Sequence, residues 1–177
     1  MIVRLLFKII VVGDGGVGKS TMIQRLTTEQ FIPMKITIGT DLISHDVPLS
    51  DTETAKLQIW DFGGEKRFRF LLPKFCLGAR GAMLAFDLNR FSTFLKLDQW
   101  LELIRENTER IPIVLIGMKA DLQRAIEQKE VVNFAKTHNL KAYFETSSKD
   151  DVNVTPAFEY IAKEMLDYVQ QRVNKSA

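Results

Sequence analysis

The chain has 177 residues, 46% of them hydrophobic and 26% charged, which is enough for one domain with a sizeable core and too little for two. Its 24 Lys and Arg against 22 Asp and Glu leave a net charge of +2, so broad electrostatics give no reason to expect nucleic acid or a membrane surface as partner. A single cysteine, Cys76, excludes an internal disulfide framework, and no apolar run reaches the roughly 18–20 residues of a membrane-spanning helix.

In chain order, Phe7-Lys8-Ile9-Ile10-Val11-Val12 reads as a buried strand that stops at Gly13-Asp14-Gly15-Gly16-Val17-Gly18-Lys19-Ser20. This is a G-x-x-x-x-G-K-S loop between a strand and a helix, the setting in which such a loop cradles phosphate. Glycines at 13, 15, 16 and 18 free the backbone to turn successive amide N–H groups inward as an anion site. Lys19 adds a point charge for the outer phosphates. Ser20 opens a helix, where its hydroxyl can ligate Mg²⁺ and the helix N-terminus favours negative charge. Met22, Ile23 and Leu26 place that helix at about 18–27.

The sequence predicts a loop over 30–39 holding Thr37, a strand over 41–48, a polar turn at Ser50-Asp51-Thr52-Glu53, and a strand over 55–60 that pairs antiparallel with its predecessor. Residues 65–77 are either a helix or a loop. Gly81 to Asp87 suits a strand covered on both faces, followed by one helix carrying Phe94, Leu97, Leu101 and Ile104 on its inner face. A buried strand is expected over 113–117, a helix over 127–138, a short strand over 142–144, and a last helix opened by Thr155-Pro156 with Phe158, Ile161, Met165 and Val169 inward. Alternating strands and helices argue an α/β fold: a mainly parallel six-stranded sheet with one antiparallel edge strand, helices on both faces, and binding at the carboxyl ends of the strands. Cys76 is expected as a half-buried apolar side chain. His45 and His138 are expected at the surface, without a carboxylate partner.

Four further stretches follow the phosphate loop: Thr37-Ile38-Gly39, Asp61-Phe62-Gly63-Gly64, Met118-Lys119-Ala120-Asp121 and Glu145-Thr146-Ser147-Ser148-Lys149. Together the five resemble the nucleotide motifs of small GTPases of the Ras superfamily, over almost the whole chain. Lys56-Leu57-Gln58-Ile59-Trp60-Asp61, Arg67-Phe68-Arg69 and Thr37-Ile38-Gly39 look most like its Rab branch. The resemblance implies a single P-loop NTPase domain spanning 1–177, a molecular switch that binds GTP with Mg²⁺ and hydrolyses it to GDP. It places Gly15, Gly16, Val17, Gly18, Lys19, Ser20 and Thr21 around the phosphates. Lys119, Asp121, Ser147, Ser148 and Lys149 would meet the base, with Phe31 as a stacking candidate one position closer to Thr37 than the family pattern.

Asp121 can accept hydrogen bonds from guanine N1 and its exocyclic amine, whereas adenine N1 would face the carboxylate with a lone pair. An unpaired buried polar group costs about 1–3 kcal/mol, enough for roughly tenfold discrimination. Mg²⁺ would be held by Ser20, Thr37 and the phosphates, with Asp61 acting through water. Thr37 and the Gly64 N–H would engage the γ-phosphate and let go on hydrolysis, turning loss of one phosphate into a change of surface. Apolar residues after Thr37, with Leu42 and Trp60, resemble the family's effector-binding cluster. The implied catalytic set is Lys19, Thr37, Gly64 and Glu65.

The chain departs from the family at Phe62, Gly63, Glu65 and Met118. Glu65 stands where glutamine orients the attacking water; a carboxylate cannot donate to the γ-phosphate and its charge opposes it, so intrinsic hydrolysis is expected to be slow. No arginine precedes Thr37 to act in cis, so a GTPase-activating partner's arginine is expected to help, and Gly15 leaves room for one. Met118 replaces the asparagine or threonine before Lys119, and a thioether lacks the amide hydrogen bonds, so weaker nucleotide affinity is expected. Phe62 and Gly63 stand where threonine and alanine are common. The rival readings are a binding module that holds nucleotide and hardly turns it over, and an ATP-using enzyme. Protein effectors are expected as partners of a cytoplasmic monomer with no nucleic-acid partner. Without a C-terminal cysteine in 170–177, no lipid anchor is expected, and membranes would be reached through partners.

Overall fold

The computed structural model describes residues 3–176, so Met1, Ile2 and Ala177 lie outside it. Strand β1 (Val3–Gly13) runs into helix α1 (Lys19–Thr28), and β2 (Thr40–Pro48) and β3 (Glu53–Phe62) form the expected hairpin. A 3-10 helix (Lys66–Leu71) and α2 (Leu72–Cys76) lead to β4 (Gly81–Asp87), the one-turn α3 (Phe91–Phe94) and α4 (Leu97–Asn107). Then come β5 (Ile113–Met118), α5 (Gln128–Thr137), β6 (Ala142–Thr146) and α6 (Val154–Ser176). The strands form one sheet in the order β2-β3-β1-β4-β5-β6. Only the β2–β3 pairing is antiparallel among these strands, as the polar turn between them predicted, and the rest of the sheet is parallel, as the alternation of strands and helices predicted.

Strand periodicity explains the layers. Along β1, Ile9 and Val11 face one core with Met22 and Ile23 of α1 and Phe158, Ile161 and Met165 of α6. Ile10 and Val12 face the other, with Leu72 and Cys76 of α2, Trp100, Leu101 and Ile104 of α4, and Val131 of α5. All seven residues of β4 are buried, as a strand covered on both faces requires. Each large side chain removed from water contributes about 1.5–3 kcal/mol. Parallel pairing of β1 with β3 and β4, of β4 with β5 and of β5 with β6 brings the carboxyl ends of five strands to one edge. The polar residues that follow those strands gather there. No helix among the described residues is long and apolar enough to cross a membrane.

Several boundaries differ from the sequence reading. The stretch 65–77, open between helix and loop, is helical in two short pieces, and Arg69 anchors it: its guanidinium lies 4.3 Å over the Trp100 ring and Nη1 donates to Gln99 Oε1 at 3.3 Å. The single helix expected after β4 is two, because the Thr93 hydroxyl accepts from Asp87 N–H at 3.0 Å and donates to Arg90 O at 2.7 Å, tying α3 to the strand end. In α5 a capping box of Glu127 and Glu130 sets the start. The last helix begins at Val154 rather than at a Thr155 cap, its first bond running from Ala157 N–H to Asn153 O. His138 has a carboxylate partner after all, Asp98 Oδ1 at 3.1 Å, a contact between helices that spacing along the chain could not reveal.

Cys76 is buried rather than half-buried. Burial pushes its thiol up from an ordinary 9.0 to about 11, against the nearby Lys8 ammonium. The folded protein therefore keeps this proton to higher pH than the unfolded chain, and the group's stabilising contribution, full below pH 9, is lost as pH rises to about 11. Ellman's reagent at pH 8 is expected to label Cys76 only on unfolding; rapid labelling of the native protein would contradict this burial.

Candidate functional site

At the carboxyl edge of the sheet lies a cavity of about 510 Å³. The phosphate-loop residues Gly15, Gly16, Val17 and Gly18, with Lys19, Ser20 and Thr21, form its floor. Gly18 has φ +109°, a conformation closed to most side chains. Gly15 needs no such freedom: its φ is not positive, and a Cβ there would meet Gly64 at an ordinary 3.9 Å, so neither conformation nor crowding requires glycine at this position.

Lys19 is buried, and its Nζ donates to Gly13 O at 3.0 Å and Asp14 O at 2.9 Å. Burial pulls its ammonium down from 10.5 to about 8, against the attraction of Asp61 and Asp14. A cation so placed gains from any anion delivered to the loop. Ser20 Oγ lies 2.5 Å from Thr37 Oγ1 and donates to Asp61 Oδ2, while Thr37 Oγ1 is 3.5 Å from the same oxygen. Asp61 is buried, its Oδ1 has no hydrogen-bond partner, and burial raises its carboxyl above the ordinary range against Ser20 and Lys19.

Two hydroxyls and one carboxylate thus converge as hard oxygen donors, with one carboxylate oxygen unspent. Such a set fits Mg²⁺ completed by phosphate oxygens and water. No cluster of three or more His, Cys, Asp or Glu among the described residues could hold a metal alone. The donors here are chiefly hydroxyls, so the two findings agree.

Two backbone segments close the phosphate end. A Cβ on Gly64 would stand 2.3–2.4 Å from Asp14 C, Gly13 O and Gly15 N, so its main chain lies directly on the phosphate loop. A Cβ on Gly63 would stand 2.5 Å from Thr37 O and 2.9 Å from Gly39 O, and Gly63 N–H donates to Gly39 O at 2.8 Å. Glycine in place of the commoner alanine therefore brings the Thr37 loop against the segment after β3. Phe62, in place of threonine, is buried edge-on to Trp100 at 6.1 Å and anchors that segment on α4.

At the other end, Lys119, Asp121, Ser148 and Lys149 line the cavity, and so does half-exposed Phe31. Ser147 does not: it is fully buried, its hydroxyl donates to Asp121 Oδ1 at 2.7 Å and accepts Asp150 N–H at 3.0 Å, so it orients the carboxylate from behind. The backbone after β5 is held to β6 by Arg124 on both oxygens of Glu145, at 2.9 and 3.4 Å. Glu65 also lies outside the cavity lining, its Oε2 2.6 Å from Arg67 Nε. Met118 lines the cavity, its thioether 3.6 Å from where a Gly18 Cβ would be.

The sequence reading missed two cations beside the loop. Arg90 Nη2 donates to Gly15 O at 2.7 Å, and Lys96 Nζ pairs with Asp14 Oδ2 at 2.7 Å. Both follow β4, some 75–82 residues along the chain from their partners, and no motif marks them. Gly63→Ala is expected to destabilise the fold by about 1–3 kcal/mol in urea titration, because backbone rather than a flexible side chain must move; an unchanged midpoint would show that the Thr37 loop yields freely. With the geometry established, comparison with family models gives a match to the Ras family over residues 8–167.

Proposed function

The chain belongs to the Ras family, and from that premise we propose a guanine-nucleotide switch that takes GTP with Mg²⁺, hydrolyses it slowly, and exchanges protein partners as it does. Binding of GTP and hydrolysis in general follow from membership; the slow rate and the individual roles are our reading. The observation that carries it is one cavity joining Lys19, Ser20, Thr37 and Gly64 at one end with Lys119, Asp121, Ser148 and Lys149 at the other. That is a site for a charged tail and a planar base at once.

In this reading Lys19 and the loop N–H groups take the phosphates. Ser20, Thr37 and Asp61 hold Mg²⁺, which when bound shields the phosphate charge. Asp121, steadied by Ser147, selects guanine, and Phe31 covers the base. Thr37 and Gly64 sense the γ-phosphate. Within the family we place the chain nearest the Rab branch on its 56–61 and 67–69 stretches. Ile38 and Leu42, 75% and 50% exposed, belong to the surface offered to effectors.

Slow turnover is supported by Glu65: paired with Arg67, it neither donates to a phosphate nor tolerates another anion nearby. A partner's arginine is typically worth about 10³–10⁵ in rate. The second reading, a module that binds nucleotide without turning it over, is favoured by the same ion pair. Single-turnover phosphate release from GTP with Mg²⁺ separates the two. We expect measurable release that Glu65→Gln accelerates about tenfold. Equal rates remove Glu65 from the mechanism, and bound GTP that stays intact in both proteins establishes the module instead.

A further inference from the structure

Met118 leaves the phosphate loop without an amide tether from β5, yet the loop is tethered from β4. Asp87 ends that strand with a side chain only 4% exposed. Its Oδ1 accepts Asn89 N–H at 2.9 Å, and its Oδ2 lies 2.6 Å from Lys119 Nζ and 4.0 Å from Arg90 Nε. Each cation then reaches the loop: Lys119 Nζ donates to Gly16 O at 3.0 Å and Arg90 Nη2 to Gly15 O at 2.7 Å. One buried carboxylate therefore sets two cations on consecutive carbonyls. The turn that carries it is fixed by Thr93 and by Leu88 N–H donating to Met118 O at 3.0 Å.

Peptide planarity gives this clamp its consequence. In a trans peptide the carbonyl of one residue points opposite to the N–H of the next. Drawing Gly15 O and Gly16 O toward Arg90 and Lys119 turns the N–H groups of Gly16 and Val17 the other way, and both residues line the cavity. We propose that Asp87 is a positioning residue for phosphate binding: through Arg90 and Lys119 it orients the Gly16 and Val17 amides and takes over the tether that Met118 cannot supply. The proposal rests on the guanine-nucleotide reading above. Without the carboxylate, two cations on adjacent carbonyls repel each other and lose their common anchor.

The test uses the full chain loaded with N-methylanthraniloyl-GDP and Mg²⁺, release being followed after a chase with unlabelled GDP. Asp87→Asn keeps the shape and the Asn89 contact but not the charge, and is expected to release GDP about tenfold faster. Arg90→Gln is expected to release it about fivefold faster and to add little in the Asp87→Asn background, because the two act as one unit. Met118→Asn is expected to slow release more in the Asp87→Asn background than in the wild type, which a general loss of stability would not produce. Release within twofold of wild type for both single variants overturns the clamp, as do losses that simply add. If Asp87→Asn fails to fold, Arg90→Gln, whose side chain is 45% exposed, carries the comparison, and no rescue of it by Met118→Asn overturns the proposal. Failure of the wild type to bind the labelled GDP at all would instead overturn the guanine-nucleotide reading.

Discussion

The Lys19 ammonium is a cation taken out of water and given backbone carbonyls, those of Gly13 and Asp14, as its hydrogen-bond partners. Burial, only partly offset by Asp61 and Asp14, pulls its pKa down to about 8, so the loop stores a demand for negative charge. The surrounding site answers to that demand. Asp61 and Asp14 attract the ammonium from within the protein, while the glycine backbone leaves one side open to an anion. In the proposed reading phosphate would supply the missing charge, and Ser20, Thr37 and Asp61 would hold a divalent ion that keeps the total near balance.

Closure around that cation is a backbone affair, and it gives a structural setting to two of the chain's departures from its family, Phe62 and Gly63. Gly64 lies on Gly13–Gly15 and Gly63 on Thr37 and Gly39 at distances that forbid a Cβ. An alanine at 63 in this chain would have to push these segments apart. Phe62 compensates on the opposite side, where its ring meets Trp100 and Phe75, each at 6.1 Å. The same helix face carries Arg69. The Thr37 loop thus touches Gly63, and Phe62 beside it packs on Trp100 of α4, a contiguous packed route from loop to helix.

Much of this was legible in the sequence. The strand before Gly13, the order of the five motifs and the alternation of strands and helices gave the sheet, its single antiparallel edge and the side on which ligands sit, because periodicity and glycine loops are local signals. What escaped depends on distant segments meeting. Arg90 and Lys96 look like ordinary surface cations until the β1–β4 pairing sets Gly13 beside Ala85. Ser147 and Asp121 occupy separate motifs, and only the β5–β6 register, Met118 opposite Thr146, shows that one braces the other. The split of the helix after β4 hangs on the Thr93 hydroxyl, which is silent in any hydrophobic pattern. Glu65 was readable as a departure, but its pairing with Arg67 required side-chain geometry.

The central claim is that the Asp121 carboxylate chooses the base. The most direct measurement is competitive binding of GTP, ATP and xanthosine triphosphate to the wild type and to Asp121→Asn, with Mg²⁺ present. An amide in place of the carboxylate offers an N–H where guanine brings its own amine and where xanthine brings a carbonyl. The account predicts a wild type that takes GTP over both rivals, and a variant in which xanthosine triphosphate overtakes GTP by about tenfold or more. A variant that still prefers GTP, or a wild type that binds ATP equally well, would contradict it.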